Sequence, residues 1–262
     1  MQVQVNGIDV AYALSGPDGA PAVMLSHSLG SSAVMWAPQL AALAQRYRVL
    51  CYDARGHGGS SAPPGAYSLD LLGDDAVALM DGLGLEQVHW VGLSMGGMIG
   101  QNLALRAPER LASLILCDTT AQIPPEGQAM WDDRITAARE EGMAALAEST
   151  MQRWFTPDYL RGAPQAVDDI RAQFLDTPVD GFIGCCAALK ELDYLDRLAE
   201  IRLPTLVVVG ADDPSTPVAA SEAIQARIDG AELVVLPSAS HLANVEQPEA
   251  FTAAVLDFLD RQ

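Results

Sequence analysis

The fold of this chain can be inferred from the segment Trp90–Gly97, WVGLSMGG. It holds Gly-x-Ser-x-Gly directly after the apolar run 88–91 and directly before a segment with helical spacing, 95–106. A serine on a tight turn between a strand and a helix is the setting of a nucleophile elbow, and glycines are needed there because flanking side chains would clash. We therefore predict that Ser94 is a nucleophile. The alternative is a glycine-rich helix start with a capping serine.

Strands and helices alternate on both sides of this turn. Apolar runs predict strands at 22–25, 48–52, 88–91, 111–117, 203–209 and 232–236. Helical spacing predicts helices near 36–44, 69–83, 95–106, 219–228 and 249–259. Two alternating segments at 3–5 and 8–14 flank Asn6-Gly7, which is typical of a type I′ hairpin. Continuous apolar strands separated by helices favour a mostly parallel sheet with helices on both faces.

The alternation stops between residues 121 and 199, where the spacing is helical and no strand is predicted. We therefore expect an α/β core formed by residues 1–120 and 200–262. A helical cap, residues 121–199, is inserted between these two parts of the core.

A serine nucleophile needs a base, and the base needs an orienting carboxylate. His241 lies between the last predicted strand and the last helix, at the edge of the sheet where Ser94 is expected. Asp212 and Asp213 follow the strand that ends near Gly210, at the same edge. Asp118, after the strand 111–117, is a second candidate for the acid.

The charge balance excludes several kinds of partner. The chain has 34 acidic and 15 basic residues, a formal net charge of −19, and an apolar content of 50% that excludes disorder. A surface this acidic repels phosphate backbones and anionic membranes, so we expect no nucleic acid and no membrane as partner. The sequence does not decide between a monomer and a homo-oligomer.

Neither a secretory signal nor an apolar run of about 18 residues is present, so we expect a cytoplasmic protein. The four cysteines, Cys51, Cys117, Cys185 and Cys186, form no Cys-x-x-Cys pair and are predicted to be reduced. No metal-ligand spacing and no dinucleotide-binding glycine pattern occurs, so no metal and no organic cofactor is expected.

The chain resembles the α/β-hydrolases over its whole length. The resemblance rests on the order Ser94, Asp213, His241, on the segment Leu25–Gly30 and on Asp53–Ser60, which reads Asp-x-Arg-Gly-x-Gly-x-Ser. It implies an eight-stranded, mostly parallel sheet with a helical cap insertion. It also implies that the acid is the third residue after the strand-ending glycine, which selects Asp213.

The same resemblance places the oxyanion hole at the backbone N–H groups of Leu29 and Met95. Ser28 stands where most members of the family have glycine. The Asp53–Ser60 segment is expected to support the site, so His57 is predicted to pack there and not to act as the base. His89 begins a strand and is predicted to be structural.

Within the family, the chain most resembles the 3-oxoadipate enol-lactonases. The stretches that carry this likeness are Ser28-Leu29-Gly30, Gly92–Gly97, Arg153–Pro157 and Gly184–Ala188. The likeness implies a small lactone or ester as substrate and hydrolysis through an acyl-enzyme. The alternatives are a broad carboxylesterase, a cofactor-free perhydrolase or haloperoxidase, and a ligand receptor on the same fold.

A carboxylate-bearing substrate needs a local cation in a protein of this charge. Arg134 lies three residues after Trp131 on one helical face, and Arg153 is next to Trp154. We expect these four residues to bind the substrate. The alternative is that the two arginines pair with acidic neighbours such as Asp132, Asp133 or Asp158 on a solvated surface.

Overall fold

Eight strands form one sheet in the computed structural model, which describes residues 1–262 apart from the side chain of residue 164. The spatial order of the strands is 1-2-4-3-5-6-7-8. The strands are β1 (Gln2–Val5), β2 (Ile8–Ser15), β3 (Ala22–Ser26), β4 (Arg48–Tyr52), β5 (Val88–Leu93), β6 (Leu111–Cys117), β7 (Thr205–Gly210) and β8 (Glu232–Leu236).

The predicted hairpin begins the sheet. β1 and β2 pair antiparallel, and β2 also pairs antiparallel with β4. Asn6 and Gly7 both have positive φ, at 46° and 77°, as a type I′ turn requires. All later neighbours are parallel, and β3, β5 and β7 are buried along their whole length. The predicted mostly parallel, eight-stranded α/β fold is confirmed.

The α-helices connect and cover these strands. They are α1 (Ala37–Leu43), α2 (Leu69–Gly82), α3 (Met95–Arg106), α4 (Gln128–Glu141), α5 (Ala144–Trp154), α6 (Pro157–Gly162), α7 (Pro164–Asp176), α8 (Val179–Lys190), α9 (Val218–Arg227), α10 (Ala243–Glu246) and α11 (Pro248–Leu259). None of them, within the described part of the chain, is long and apolar enough to cross a membrane.

The parallel register determines where the functional side chains can meet. Leu93 pairs with Cys117, Cys117 pairs with Val208, and Gly210 pairs with Leu236, so the carboxyl ends of four strands lie along one edge. The residues that follow these ends therefore come close together.

The segment between β6 and β7 consists of α4 to α8 with short 3₁₀ turns, as the helical spacing predicted. One isolated β-bridge joins Gln122 to Asp193 near its two ends. That residues 121–199 form a separate cap stays a prediction. The four cysteines are free and buried.

Candidate active site

Ser94 lies on the turn between β5 and α3 in a backbone conformation that few L-residues adopt. Its φ is 56° and its ψ is −113°. The turn is so tight that a Cβ on Gly92 would lie 2.1 Å from the carbonyl oxygen of Gly96. The glycine at 92 is therefore a steric requirement, and the turn projects the Ser94 side chain from the strand edge as an elbow does.

His241 joins Ser94 to Asp213 through hydrogen bonds on both ring nitrogens. Nε2 lies 3.0 Å from Oγ of Ser94, and Nδ1 lies 2.8 Å from Oδ2 of Asp213. An ionised carboxylate only accepts, so Nδ1 donates to Asp213 and Nε2 is left to accept from the serine hydroxyl. All three side chains are buried. These contacts fit a Ser-His-Asp triad.

The Asp213 carboxylate is held by a full set of donors. Oδ1 accepts from the backbone N–H groups of Ser215 and Thr216, at 2.7 and 3.1 Å, and Oδ2 accepts from the Thr216 hydroxyl at 2.6 Å. Burial opposes ionisation of Asp213, but His241 and Thr216 outweigh it and lower the pKa of the carboxyl below its ordinary value. The neighbouring Asp212 is exposed. The structure thus places Asp213, and not Asp212, against the histidine.

Asp118, the second candidate for the acid, lies at the same strand edge but has a different partner. Its Oδ1 accepts from the backbone N–H of Gly210 at 2.8 Å, and its Oδ2 is buried without a partner among the described residues. Burial, followed by the nearby charge of Asp213, raises the pKa of Asp118 well above its ordinary value. It hydrogen bonds to the end of β7 and not to His241.

The loop after β3 lies against the start of α3. The Gly96 N–H donates to the His27 carbonyl at 3.2 Å, which fixes this loop beside the serine turn. Among the described contacts, the N–H groups of Leu29 and Met95 donate to no protein acceptor. Met95 follows Ser94 directly, and Leu29 lines the same cavity as Ser94. That these two N–H groups form an oxyanion hole stays a prediction.

His57 hydrogen bonds to the loop after β3. Its Nε2 accepts from the Gly30 N–H at 2.9 Å, and its Nδ1 lies 3.2 Å from the Arg55 carbonyl. Burial and the neighbouring His27 lower the pKa of His57 to about 3, so the ring stays neutral and acts as an acceptor. His89 hydrogen bonds to Ser113 at 2.8 Å, as a structural residue would.

A cavity of about 160 Å³ opens above Ser94 and His241. Trp131 and Arg134 of α4, with Arg153 and Trp154 of α5, line it. All four insertion residues predicted to bind substrate therefore line the same cavity as Ser94. The other lining residues are Ser28, Leu29, Met98, Thr120, Ile123, Met130, Pro214, Ser215 and Thr216.

The two arginines in this cavity have no carboxylate partner among the described ion pairs. The Arg134 guanidinium lies 5.3 Å from the Trp131 ring and 5.5 Å from the Phe182 ring, and its buried Nε has no acceptor. Arg153 donates to the Thr150 hydroxyl at 3.3 Å.

Burial lowers the pKa of both guanidinium groups, that of Arg134 to about 10 with Arg153 also contributing. An arginine guanidinium is not deprotonated in proteins at neutral pH, so both side chains carry a positive charge. Two of the three acidic neighbours proposed as partners bind elsewhere, since Asp132 pairs with Lys190 and Asp158 pairs with Arg161. Asp133 is in none of the described ion pairs. The cavity thus presents two uncompensated positive charges.

One buried carboxylate beside the site, that of Glu246, is not among the residues predicted from the sequence. Glu246 of α10 accepts hydrogen bonds from Thr156 in the insertion and from the Ser240 N–H, next to His241. No local sequence pattern predicts this role of Glu246, because Thr156 lies 90 residues away along the chain.

Comparison with known proteins agrees with this geometry. A family model described as "alpha/beta hydrolase fold" matches residues 21–248. The chain is 43% identical to 3-oxoadipate enol-lactonase 2 of Acinetobacter baylyi, covering 94% of this chain and 92% of the relative.

Two solved structures are similar over almost the whole chain. The enol-lactonase from Burkholderia xenovorans LB400 has a TM-score of 0.96 at 41% identity, covering 99% of this chain and 100% of the other. A thermophilic esterase from Thermogutta terrifontis, described as malate bound, has a TM-score of 0.95 at 32% identity. The match covers 100% of this chain and 98% of the other. With the serine elbow, the parallel sheet and these relatives in agreement, the chain belongs to the α/β hydrolase family.

Proposed function

We propose that this chain is a serine hydrolase that opens the ring of 3-oxoadipate enol-lactone, with Ser94 as nucleophile, His241 as general base and Asp213 as its orienting acid. The observation that carries the proposal is the pair of hydrogen bonds that connects Asp213 to Ser94 through His241. The cavity next to Ser94 is lined by two arginines that have no carboxylate partner among the described ion pairs. The 43% identity to a 3-oxoadipate enol-lactonase supports the same substrate class.

The chemistry proceeds through an acyl-enzyme. Oγ of Ser94 attacks the lactone carbonyl while Nε2 of His241 takes its proton, and Asp213 stabilises the imidazolium. Collapse of the tetrahedral intermediate breaks the ring C–O bond and expels an enolate, which takes the proton held by the His241 imidazolium and becomes the ketone. His241 is then neutral again. Water, deprotonated by His241, then attacks the acyl carbonyl and releases 3-oxoadipate. Each proton is moved by a side chain, so the cycle needs no metal and no organic cofactor.

The N–H groups of Leu29 and Met95 would bind the negative charge that develops on the carbonyl oxygen. One such donor contributes about 3 kcal/mol to the stability of the transition state. Because both groups are free of protein acceptors, neither must break a hydrogen bond to do so.

The free carboxylate of this lactone is the ligand that Arg134 and Arg153 lack. Both arginines are half-buried. A half-buried guanidinium without a counter-ion loses part of its hydration, and a bound carboxylate restores its hydrogen bonds. The esterase at 32% identity is described as malate bound, and malate carries carboxylate groups. Trp131 and Trp154 would enclose the ring, and residues 121–199 would then act as the cap of the site.

Steady-state rates on the enol-lactone and on p-nitrophenyl acetate test the proposal. We expect kcat/KM for the lactone to be the larger, and Ser94→Ala to abolish turnover of both. If Ser94→Ala keeps its activity, the nucleophile is wrong. If the neutral ester is turned over faster, the broad carboxylesterase becomes the better assignment. Release of a single equivalent of product, without further turnover, would favour a ligand receptor.

A further inference from the structure

The loop that carries His241 is attached to the insertion on both sides of the histidine. The Ser240 hydroxyl donates to the Arg153 carbonyl, and the Leu242 N–H donates to the Trp154 carbonyl, each at 3.0 Å. Carbonyls in the last turn of a helix have no partner within the helix. The end of α5 therefore satisfies its backbone with the two neighbours of the histidine.

Glu246 adds a third link between the same two segments. Its Oε1 accepts from both the N–H and the hydroxyl of Thr156, each at 2.8 Å, and its Oε2 accepts from the N–H of Ser240. Thr156 is the second residue after α5, and Ser240 immediately precedes His241. One carboxylate thus binds both the insertion and the histidine loop.

This carboxylate is buried, with 7% of the residue exposed, and has no cation partner among the described ion pairs. The groups that interact with it electrostatically include Asp212, Asp118 and Tyr159, and none of these three is a cation. Asp158 lines the same cavity as Glu246. Burial, with a smaller contribution from Asp212, raises the pKa of Glu246 above its ordinary value. The three donors use both oxygens as acceptors, two on Oε1 and one on Oε2.

We propose that Glu246 is a positioning residue that holds His241 and the pocket wall of Arg153 and Trp154 in one fixed arrangement. The inference rests on the proposed roles of Ser94 and His241, but not on the identity of the natural substrate. A glutamine cannot replace Glu246, because its amide offers one accepting atom and would point its NH₂ group at an N–H donor. An aspartate is one methylene too short to reach both partners.

The test compares Glu246→Gln with Glu249→Gln, which removes an exposed carboxylate three residues later. Two probes report on the Ser94–His241 pair: kcat and KM for p-nitrophenyl acetate, and the rate constant of inactivation by a fluorophosphonate. We expect Glu246→Gln to lower kcat and the inactivation rate together by about ten- to a hundredfold, since small misplacements of a catalytic group have effects of this size. KM for the small ester should change by less than about twofold, because this ester contacts little of the pocket wall. Glu249→Gln should match the wild type.

Thr156 supplies a second, independent pair of variants. Thr156→Val removes the hydroxyl donor and should lower kcat, as Glu246→Gln does. Thr156→Ser keeps the donor, so its kcat should equal that of the wild type. If Glu246→Gln folds and both of its rates equal those of the wild type, Glu246 only stabilises the fold and the inference is wrong. If Glu246→Gln does not fold, unchanged rates in Thr156→Val overturn it equally. Failure of the proposed function gives a different result, namely turnover of the ester by Ser94→Ala.

Discussion

Gly56 and Gly181 meet backbone to backbone, so that a Cβ on Gly181 would lie 2.1 Å from the carbonyl oxygen of Gly56. Gly56 belongs to the loop after β4, and Gly181 lies in the first turn of α8. Next to this contact, the Tyr67 N–H donates to the Gly184 carbonyl at 3.1 Å. Two glycines thus allow α8 to lie directly against the loop after β4.

Replacement of Gly181 by alanine should destabilise the protein. The added methyl group meets backbone atoms that cannot rotate away, and overpacking of this kind costs about 1–3 kcal/mol. Thermal unfolding of Gly181→Ala should therefore show a lower Tm than the wild type. The matched control is Gly162→Ala, at a position where a Cβ meets nothing within 4 Å, and its Tm should be unchanged or slightly higher. Equal Tm values for the two variants would contradict the steric argument.

Most of the fold could be predicted from local pattern because each strand of a parallel sheet is a continuous apolar run. The predicted bounds of β4, β6 and β8 agree with the structure to the residue. β7 begins at Thr205, two residues later than predicted, since Pro204 has no N–H to give to the sheet.

The contacts that hold the site could be predicted only in part. The triad residues each follow a strand end, so the parallel register alone brings them to one edge. Helical spacing predicts that Arg134 lies beside Trp131, as it does in the structure. Its second aromatic neighbour, Phe182, belongs to α8 and could not be predicted from that spacing. Glu246 depends on Thr156 and Ser240 at once, a long-range set of contacts that no periodicity encodes.

The two aspartates at the strand edge should differ in their effect on catalysis. Asp213→Asn should lower kcat by about 10⁴-fold with a small change in KM, because the amide favours the wrong imidazole tautomer. Asp118→Asn should keep most of the activity, since the amide oxygen still accepts from the Gly210 N–H. Steady-state kinetics on p-nitrophenyl acetate measure both variants. The opposite order of activities would assign the catalytic acid to Asp118.

Asp118 should also change how stability depends on pH. Its pKa is raised in the folded protein, so the folded state binds more protons than the unfolded state between the ordinary and the raised value. The contribution of Asp118 to the free energy of unfolding therefore falls as the pH rises through that window. Asparagine does not titrate, so Asp118→Asn should lose this contribution.

Thermal unfolding of both proteins between about pH 5 and about pH 8 measures the difference. We expect the Tm of the wild type to fall relative to that of Asp118→Asn as the pH rises. Parallel curves would show that the Asp118 carboxyl titrates alike in the folded and unfolded states.

Arg134 should discriminate between charged and neutral substrates. If its guanidinium binds the substrate carboxylate, Arg134→Gln lowers kcat/KM for the enol-lactone much more than for a neutral ester of similar size. A charge-assisted hydrogen bond contributes about 1.5–3 kcal/mol, which corresponds to about one to two decades in rate. Added salt should reduce the difference only in part, because a group inside the cavity is screened less than one on the surface.

Arg139→Gln is the control for this experiment, since it removes an exposed arginine from the same helix, α4. Its kcat/KM should equal that of the wild type on both substrates, which separates a local effect from the change in net charge. A larger loss in Arg153→Gln than in Arg134→Gln would move the carboxylate contact to Arg153 and leave the lactonase proposal intact. Equal losses on the charged and the neutral substrate would mean that Arg134 only supports the packing of Trp131 and Phe182.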